Sequence, residues 1–197
     1  MRYRNYGNPP GLGLVAYIII TCIVLYIAVS INDNLLNIFG FIPANFTQHP
    51  WTIITSMFLH ASFPDFTHIL FNMLVLFFFG NFLIGLVGNT GFLIVYFLGG
   101  VTGNLLFMLF NVPYSLVIGA SGAIFAVEGA LVILRPRLPV IIFPIPVTIP
   151  LWVSVIGAFL LTFIASGRIA WEAHLGGLVF GLLAGLFFRY RETGRIF

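Results

Sequence analysis

Charge is what this chain has least of. Acidic and basic residues make up 7% of its 197 residues, and all eight cations are arginine. A soluble domain carries about 25% charged residues, so a water-solvated surface over the whole chain is excluded. Cysteine is almost missing as well. Cys22 is the one thiol, so no disulfide can form within the chain, and the redox compartment is left open. The surplus of three positive charges is not a nucleic-acid signal. Most of the arginines lie in short segments between apolar runs, where they act as topology determinants. There is no separate soluble domain, no internal repeat and no low-complexity tract. Apolar residues are what is present, 60% of the chain with 23 phenylalanines, and they suit a protein solvated mainly by lipid.

A helical crossing needs about 20 apolar residues. Six runs qualify, at 12–31, 66–86, 91–111, 118–134, 147–166 and 171–189. They predict an all-α integral membrane fold of six transmembrane helices, in a single domain over 1–197. Gly85, Gly88, Asn89 and Gly91 mark the turn after the second run, and Asn111, Val112 and Pro113 break the third from the fourth. Arg135-Pro136-Arg137 ends the fourth. Pro139, Pro144, Pro146 and Pro150 make the entry to the fifth irregular and shorten it. Each lacks a backbone donor and disfavours helix before it. The first run, preceded by Arg2 and Arg4, is long enough to span and reads as a retained helix rather than a cleaved signal.

With six crossings, Arg2, Arg4, Arg135, Arg137, Arg189, Arg191 and Arg195 fall on one side and Arg168 alone on the other. The positive-inside rule then predicts both termini in the cytoplasm, and the expected location is the cell membrane of a prokaryote. Segment 32–65, which has no cation, is expected outside. Its Phe39, Phe41, Ile42, Phe46 and Trp51 are too apolar to be fully solvated. Trp51 to His60 is expected to form a short helix in the membrane interface, with Trp51, Ile54 and Phe58 on one face.

Four polar residues stand out against this background. In the predicted topology the second, fourth and sixth runs all enter from outside. His68 and Asn72 come near the start of the second, Ser121 of the fourth and His174 of the sixth. All four are expected at similar depth, roughly 5–10 Å below the outer surface. Buried polar groups in spans are costly and usually functional. Gly122, Ala126 and Ala130 repeat every four residues, as do Gly177, Gly181 and Gly185. Such small-residue stripes let two helix backbones approach closely, which would bring a serine hydroxyl to an imidazole. A free serine hydroxyl is a poor nucleophile, and His174 can take its proton and return it to a leaving amine. His68 and Asn72, one turn apart on one face, together with the backbone N–H of Ser121, can donate to the oxyanion. No Asp or Glu is well placed to orient His174, so the expected machinery is a Ser–His dyad for peptide hydrolysis.

These motifs, Gly119-Ala120-Ser121-Gly122, His68-Ile69-Leu70-Phe71-Asn72, and Ala173-His174 followed by Gly177 and Gly181, resemble those of the rhomboid family of intramembrane serine proteases. The resemblance implies a six-helix core and cleavage of single-pass membrane proteins near the outer end of their helix. The implied partners are transmembrane protein substrates and the lipid bilayer, with no nucleic acid and no cofactor. In relatives, the residues matching Ser121 and His174 form the dyad, and those matching His68 and Asn72 serve the oxyanion site. Gly119, Gly122, Phe125, His60, Gly177 and Gly181 are expected to support the site. Relatives often carry a tyrosine four residues after the serine, stacked on the base, where this chain has Phe125. Many have Trp-Arg where this chain has Trp51-Thr52, and the interval from His60 to His68 is longer than their common form.

Plainer readings stand beside these. A serine in a membrane helix commonly bonds back to its own backbone. Asn72 is an oxyanion donor or interhelical glue, and His68 a donor or an interface residue. His49, His60, His68 and His174 fit no zinc spacing, and His-Glu-x-x-His is absent, so no metal is expected. His60 is expected to shape the roof of the site. Glu128 is a proton relay or a carboxyl bonded to a neighbouring helix. Trp152 and Phe159 gate lateral entry or face lipid. A non-catalytic membrane binder would generally lack the serine or the histidine, and both are present. A transporter would trace polar residues across the membrane, whereas here they gather at one side, with only Glu128 deeper.

Overall fold

Leu14–Ile31, 18 residues without a charge, forms helix α1 in the computed structural model, which describes residues 13–61, 64, 66–141, 147–164 and 170–193. Arg2, Arg4, Arg168, Arg195, Pro144 and Pro146 lie outside the described residues. α1 buries Val15, Ile18, Cys22 and Val29 and exposes Ile20, Ile23, Val24 and Ile27. A helix apolar on every side has apolar surroundings. The pattern recurs at exposed Phe71, Phe77 and Phe78, at Ile156, Leu160 and Leu161, and at Leu183, Leu186 and Phe187. A water-soluble monomer does not expose apolar surface on this scale, so these side chains face lipid and the protein is integral to the membrane. By length and composition, Leu14–Ile31, Thr67–Phe110 and Trp171–Glu192 are each long and apolar enough to cross, and Ser121–Leu134 and Leu151–Ile164 are shorter apolar helices.

The segment after α1 folds into short pieces. They are α2 (Leu35–Phe39), a 3₁₀ turn at Pro43–Asn45, α3 (Thr52–Thr55) and a second 3₁₀ turn at Ser56–Phe58. The single helix expected from Trp51 to His60 is thus divided. The break lies where the Ser56 carbonyl accepts from both Leu59 N–H (3.2 Å) and the distant Gly119 N–H (2.9 Å). Trp51 and Ile54 stay exposed, while Phe58 turns inward against Phe97.

α4 (Thr67–Val75), a π-helical turn (Leu76–Gly80) and α5 (Asn81–Phe110) follow one another without an intervening loop. The π turn leaves carbonyls misaligned, and Asn81 Nδ2 donates to Phe77 O at 2.7 Å. Gly88 has φ +78 and kinks the run into 67–87 and 89–110. One straight helix of these 44 residues would be about 66 Å long, twice the hydrocarbon core of about 30 Å.

α6 (Ser121–Leu134) is the central helix. Every residue from Gly122 to Leu131 is buried. It lies chiefly against α8 (Trp171–Thr193) and α5. A Cβ on Gly177 or Gly181 would collide with the carbonyl oxygen of Gly122 or Ala126, and one on Gly99 would collide with the Ala126 methyl. Glycine and alanine therefore bring the backbones of α6 and α8 together.

Between α6 and α8 the predominantly helical chain carries a small sheet. Pro139–Ile141 (β1) and Thr148–Pro150 (β2) form an antiparallel hairpin, with Pro139 opposite Pro150. The fifth helix, α7 (Leu151–Ile164), starts after it, so residues 148–150, expected in the span, are strand. Prolines lack the donor that continues a helix and tolerate the ends of edge strands. α7 packs on α6, α8 and the hairpin, and makes at most marginal contact with α4 and the π turn.

Candidate active site

The loop 111–120 delivers the chain to Ser121 and is pinned from below. Phe41 and Val117 pair backbone to backbone, and Gly119 N–H reaches Ser56 O at 2.9 Å. Asn104 of α5 donates to Ile53 O (2.8 Å) and to Ser56 Oγ (3.0 Å), so α5 anchors the same support. Gly119 has φ +121, a region that L side chains rarely adopt. A Cβ there would also stand 3.0 Å from Cε1 and 3.1 Å from Nε2 of His68. Glycine thus supplies both the turn into α6 and the space for the imidazole.

Ser121 is the first residue of α6, where backbone N–H groups of the opening turn have no intrahelical acceptor. Its Oγ lies 2.7 Å from His174 Nε2. With the imidazole proton on Nδ1, the hydroxyl donates to Nε2. His174 is buried, and its Nδ1 has no hydrogen-bond partner among the described residues. Glu172, buried in the same turn of α8, therefore does not orient it. Phe125, one turn below Ser121, stacks on the His174 ring with centroids 4.6 Å apart and planes tilted by 32°. Its other side meets Phe159 of α7 edge-on at 6.1 Å. The ring position is locked from one side by an aromatic face instead of by a carboxylate.

His68 sits in the first turn of α4, over Gly119, and makes an edge contact with His60 at 5.1 Å. His60 is fully buried. Burial pushes its pKa down to about 3, and the neighbouring His68 adds in the same direction. Asn72 follows His68 by one turn on the same face of α4. It is buried, and its Nδ2 has no partner among the described residues.

Ser121, His174 and Phe125 are thus brought together, and His68 is brought against Gly119 with His60 behind it. Gly122, Gly177 and Gly181 form the helix crossing and do not meet the reacting atoms. His49 stacks on Trp51 instead, at 5.0 Å. Trp152 is exposed, and Phe159 touches the site only through Phe125. Glu128 is buried in α6. Sequence reasoning missed Ser56 and Asn104. Their only signal is that each is a polar residue in a largely apolar stretch.

Residues 47–191 match the family model of the Rhomboid domain. The chain is 32% identical over 143 residues to "Rhomboid protein 1, mitochondrial" of Saccharomyces cerevisiae, covering 68% of this chain and 40% of the yeast protein. It is 30% identical over 126 residues to "Rhomboid-like protease 3" of Toxoplasma gondii, covering 59% and 46%. To "Rhomboid protease GluP" of Bacillus subtilis it is 37% identical over 81 residues, covering 41% and 15%. The chain spans less than half the length of each of these relatives. A domain match over most of the sequence, with the second, fourth and sixth predicted runs inside it, leads to one conclusion: the chain belongs to the rhomboid family.

Proposed function

We propose that this chain is an intramembrane serine endopeptidase that cleaves transmembrane segments of other membrane proteins near the outer leaflet. The observation that carries this reading is the 2.7 Å contact between Ser121 Oγ and His174 Nε2, made across two helices far apart in sequence. Family membership and the protease names of the relatives support it.

The chemistry follows from the geometry. His174 Nε2 takes the hydroxyl proton as Oγ bonds to the substrate carbonyl carbon. The carbonyl oxygen gains the negative charge. His68, Asn72 Nδ2 and the backbone N–H of Ser121 donate to it. The C–N bond then breaks, the imidazolium gives its proton to the leaving amine, and an acyl ester remains on Ser121. Water, deprotonated by the same imidazole, cleaves the ester and regenerates the hydroxyl. Phe125 holds the ring in line throughout. The chain makes six crossings as one domain over 1–197, in the cell membrane of a prokaryote, with both termini cytoplasmic. α6 is 14 residues long, about 21 Å, against a core of about 30 Å. That shortness favours a Ser121 set below the outer surface and reached by water from outside. α7, loosely packed, moves to admit the substrate helix past Trp152 and Phe159. A peptide bond within a helix is shielded by its own ladder, so the substrate unwinds locally, which favours weak helix formers such as glycine.

The test is cleavage of a reporter transmembrane segment by protein reconstituted in liposomes. Ser121→Ala and His174→Ala should each lower the rate by about 10⁴-fold or more. Cleavage at the wild-type rate by either folded variant contradicts the reading.

A further inference from the structure

Glu128 is a buried carboxyl that the hydrolytic steps do not use. It is 6% exposed, and its carboxyl oxygens are not among the fully enclosed unpaired atoms of the described residues. A carboxyl inside a bundle is costly unless a partner can reach it. Its direction follows from helix geometry. Seven residues at about 100° each return it to within about 20° of Ser121 around the α6 axis. Two faces of α6 are taken. Gly122, Ala126 and Ala130 meet α8, and Ala123 and Ala126 meet α5. Ser121, Phe125 and Glu128 share another face, and Phe125 in its middle touches Phe159 of α7. On that side α7 and α4 do not close against each other. A helical side chain leans toward its helix N-terminus, so the carboxyl leans back along the row toward Phe125 and Ser121.

We propose that Glu128 is a specificity-determining residue at the inner end of this cleft, accepting a hydrogen bond from a hydroxyl or amide side chain on the substrate's transmembrane segment. The proposal rests on the protease reading above. The axial separation from Ser121 is about 10 Å. A substrate covers that distance in about three extended residues or about seven helical ones. The donor therefore lies about three to seven residues from the scissile bond, on the side away from the α6 N-terminus. A site built to bond a donor rejects a segment that lacks it, because its own polar group is then left unpaired.

The experiment moves one asparagine, in place of leucine, along the reporter segment and measures kcat/KM in liposomes for wild type, Glu128→Gln and Glu128→Leu. Wild type should prefer the asparagine reporter about tenfold at positions within that window and nowhere else. Glu128→Gln keeps an acceptor and should retain most of the preference. Glu128→Leu should abolish it. The readout is the ratio between two reporters in one variant, so partial misfolding cancels, and the wild-type scan stands alone if Glu128→Leu does not fold. A flat scan in wild type, or a preference unchanged in Glu128→Leu, overturns the proposal. Wild type that cleaves no reporter and takes no fluorophosphonate on Ser121 overturns the protease reading, and this proposal with it.

Discussion

Gly119 combines two demands that no other residue meets. Its φ of +121 would strain any L side chain, and a methyl there would press on the His68 imidazole. Gly119→Ala should cost about 1–3 kcal/mol of stability and, by displacing the proposed oxyanion donor His68, lower kcat about 10²-fold. Thermal melting in detergent and reporter cleavage measure the two effects. An undiminished kcat would remove His68 from the oxyanion site. His60 bears on stability instead. Its folded pKa of about 3 lies below the ordinary value of about 6.5. Between these values the unfolded chain holds the extra proton. The stabilising contribution of neutral His60 is therefore complete above about pH 6.5 and is lost as pH falls toward 3, at up to about 1.4 kcal/mol per pH unit. His60→Asn and His60→Gln should flatten the acid side of a stability–pH curve. A slope identical to wild type in both variants contradicts a buried neutral His60. Ser121 and His174 were legible in the sequence because a serine and a histidine stand out in apolar, glycine-rich runs. The contact of His60 with His68 was not, since it depends on how the intervening loop returns.

Among the elements, the α6–α8 crossing decides whether serine and imidazole meet at all. The carbonyls of Gly122 and Ala126 fill the space where side chains of Gly177 and Gly181 would be. Gly181→Leu should separate the helices, cost about 1–3 kcal/mol or more and reduce cleavage in parallel. The same substitution at Gly157 of α7, where a Cβ meets nothing within 4 Å, serves as the control. Equal stability for the two variants contradicts a tight crossing. The glycine stripes announced this contact, because spacing by four is a local property of the sequence. Likewise α1 begins and ends close to its apolar run. The hairpin between α6 and α7 was not legible. Its strands are three residues each, and an apolar, proline-rich stretch reads equally as the start of a span. The division of the Trp51–His60 helix was hidden too, because it falls where a hydrogen bond arrives from Gly119, far along the chain.

At the scale of the molecule, α6, buried from Gly122 to Leu131, is packed among helices whose outer faces are apolar. Lipid and glycine packing, rather than charge, hold the bundle together. The polar groups of the candidate site lie at one end of α6, in the first turn of α4 and in the first turn of α8, with Glu128 two turns along α6. Asn104 and Ser56 tie the segment after α1 to α5, so the support under Ser121 is shared by three parts of the chain. That arrangement concentrates reactivity in one hydroxyl. Peptide mapping after treatment of the folded, membrane-embedded protein with a fluorophosphonate tests this most directly. The adduct should fall on Ser121, form much more slowly in His174→Ala, and stop reporter cleavage in proportion to its occupancy. An adduct on another residue, or an unmodified Ser121 in protein whose cleavage has been blocked, would contradict it.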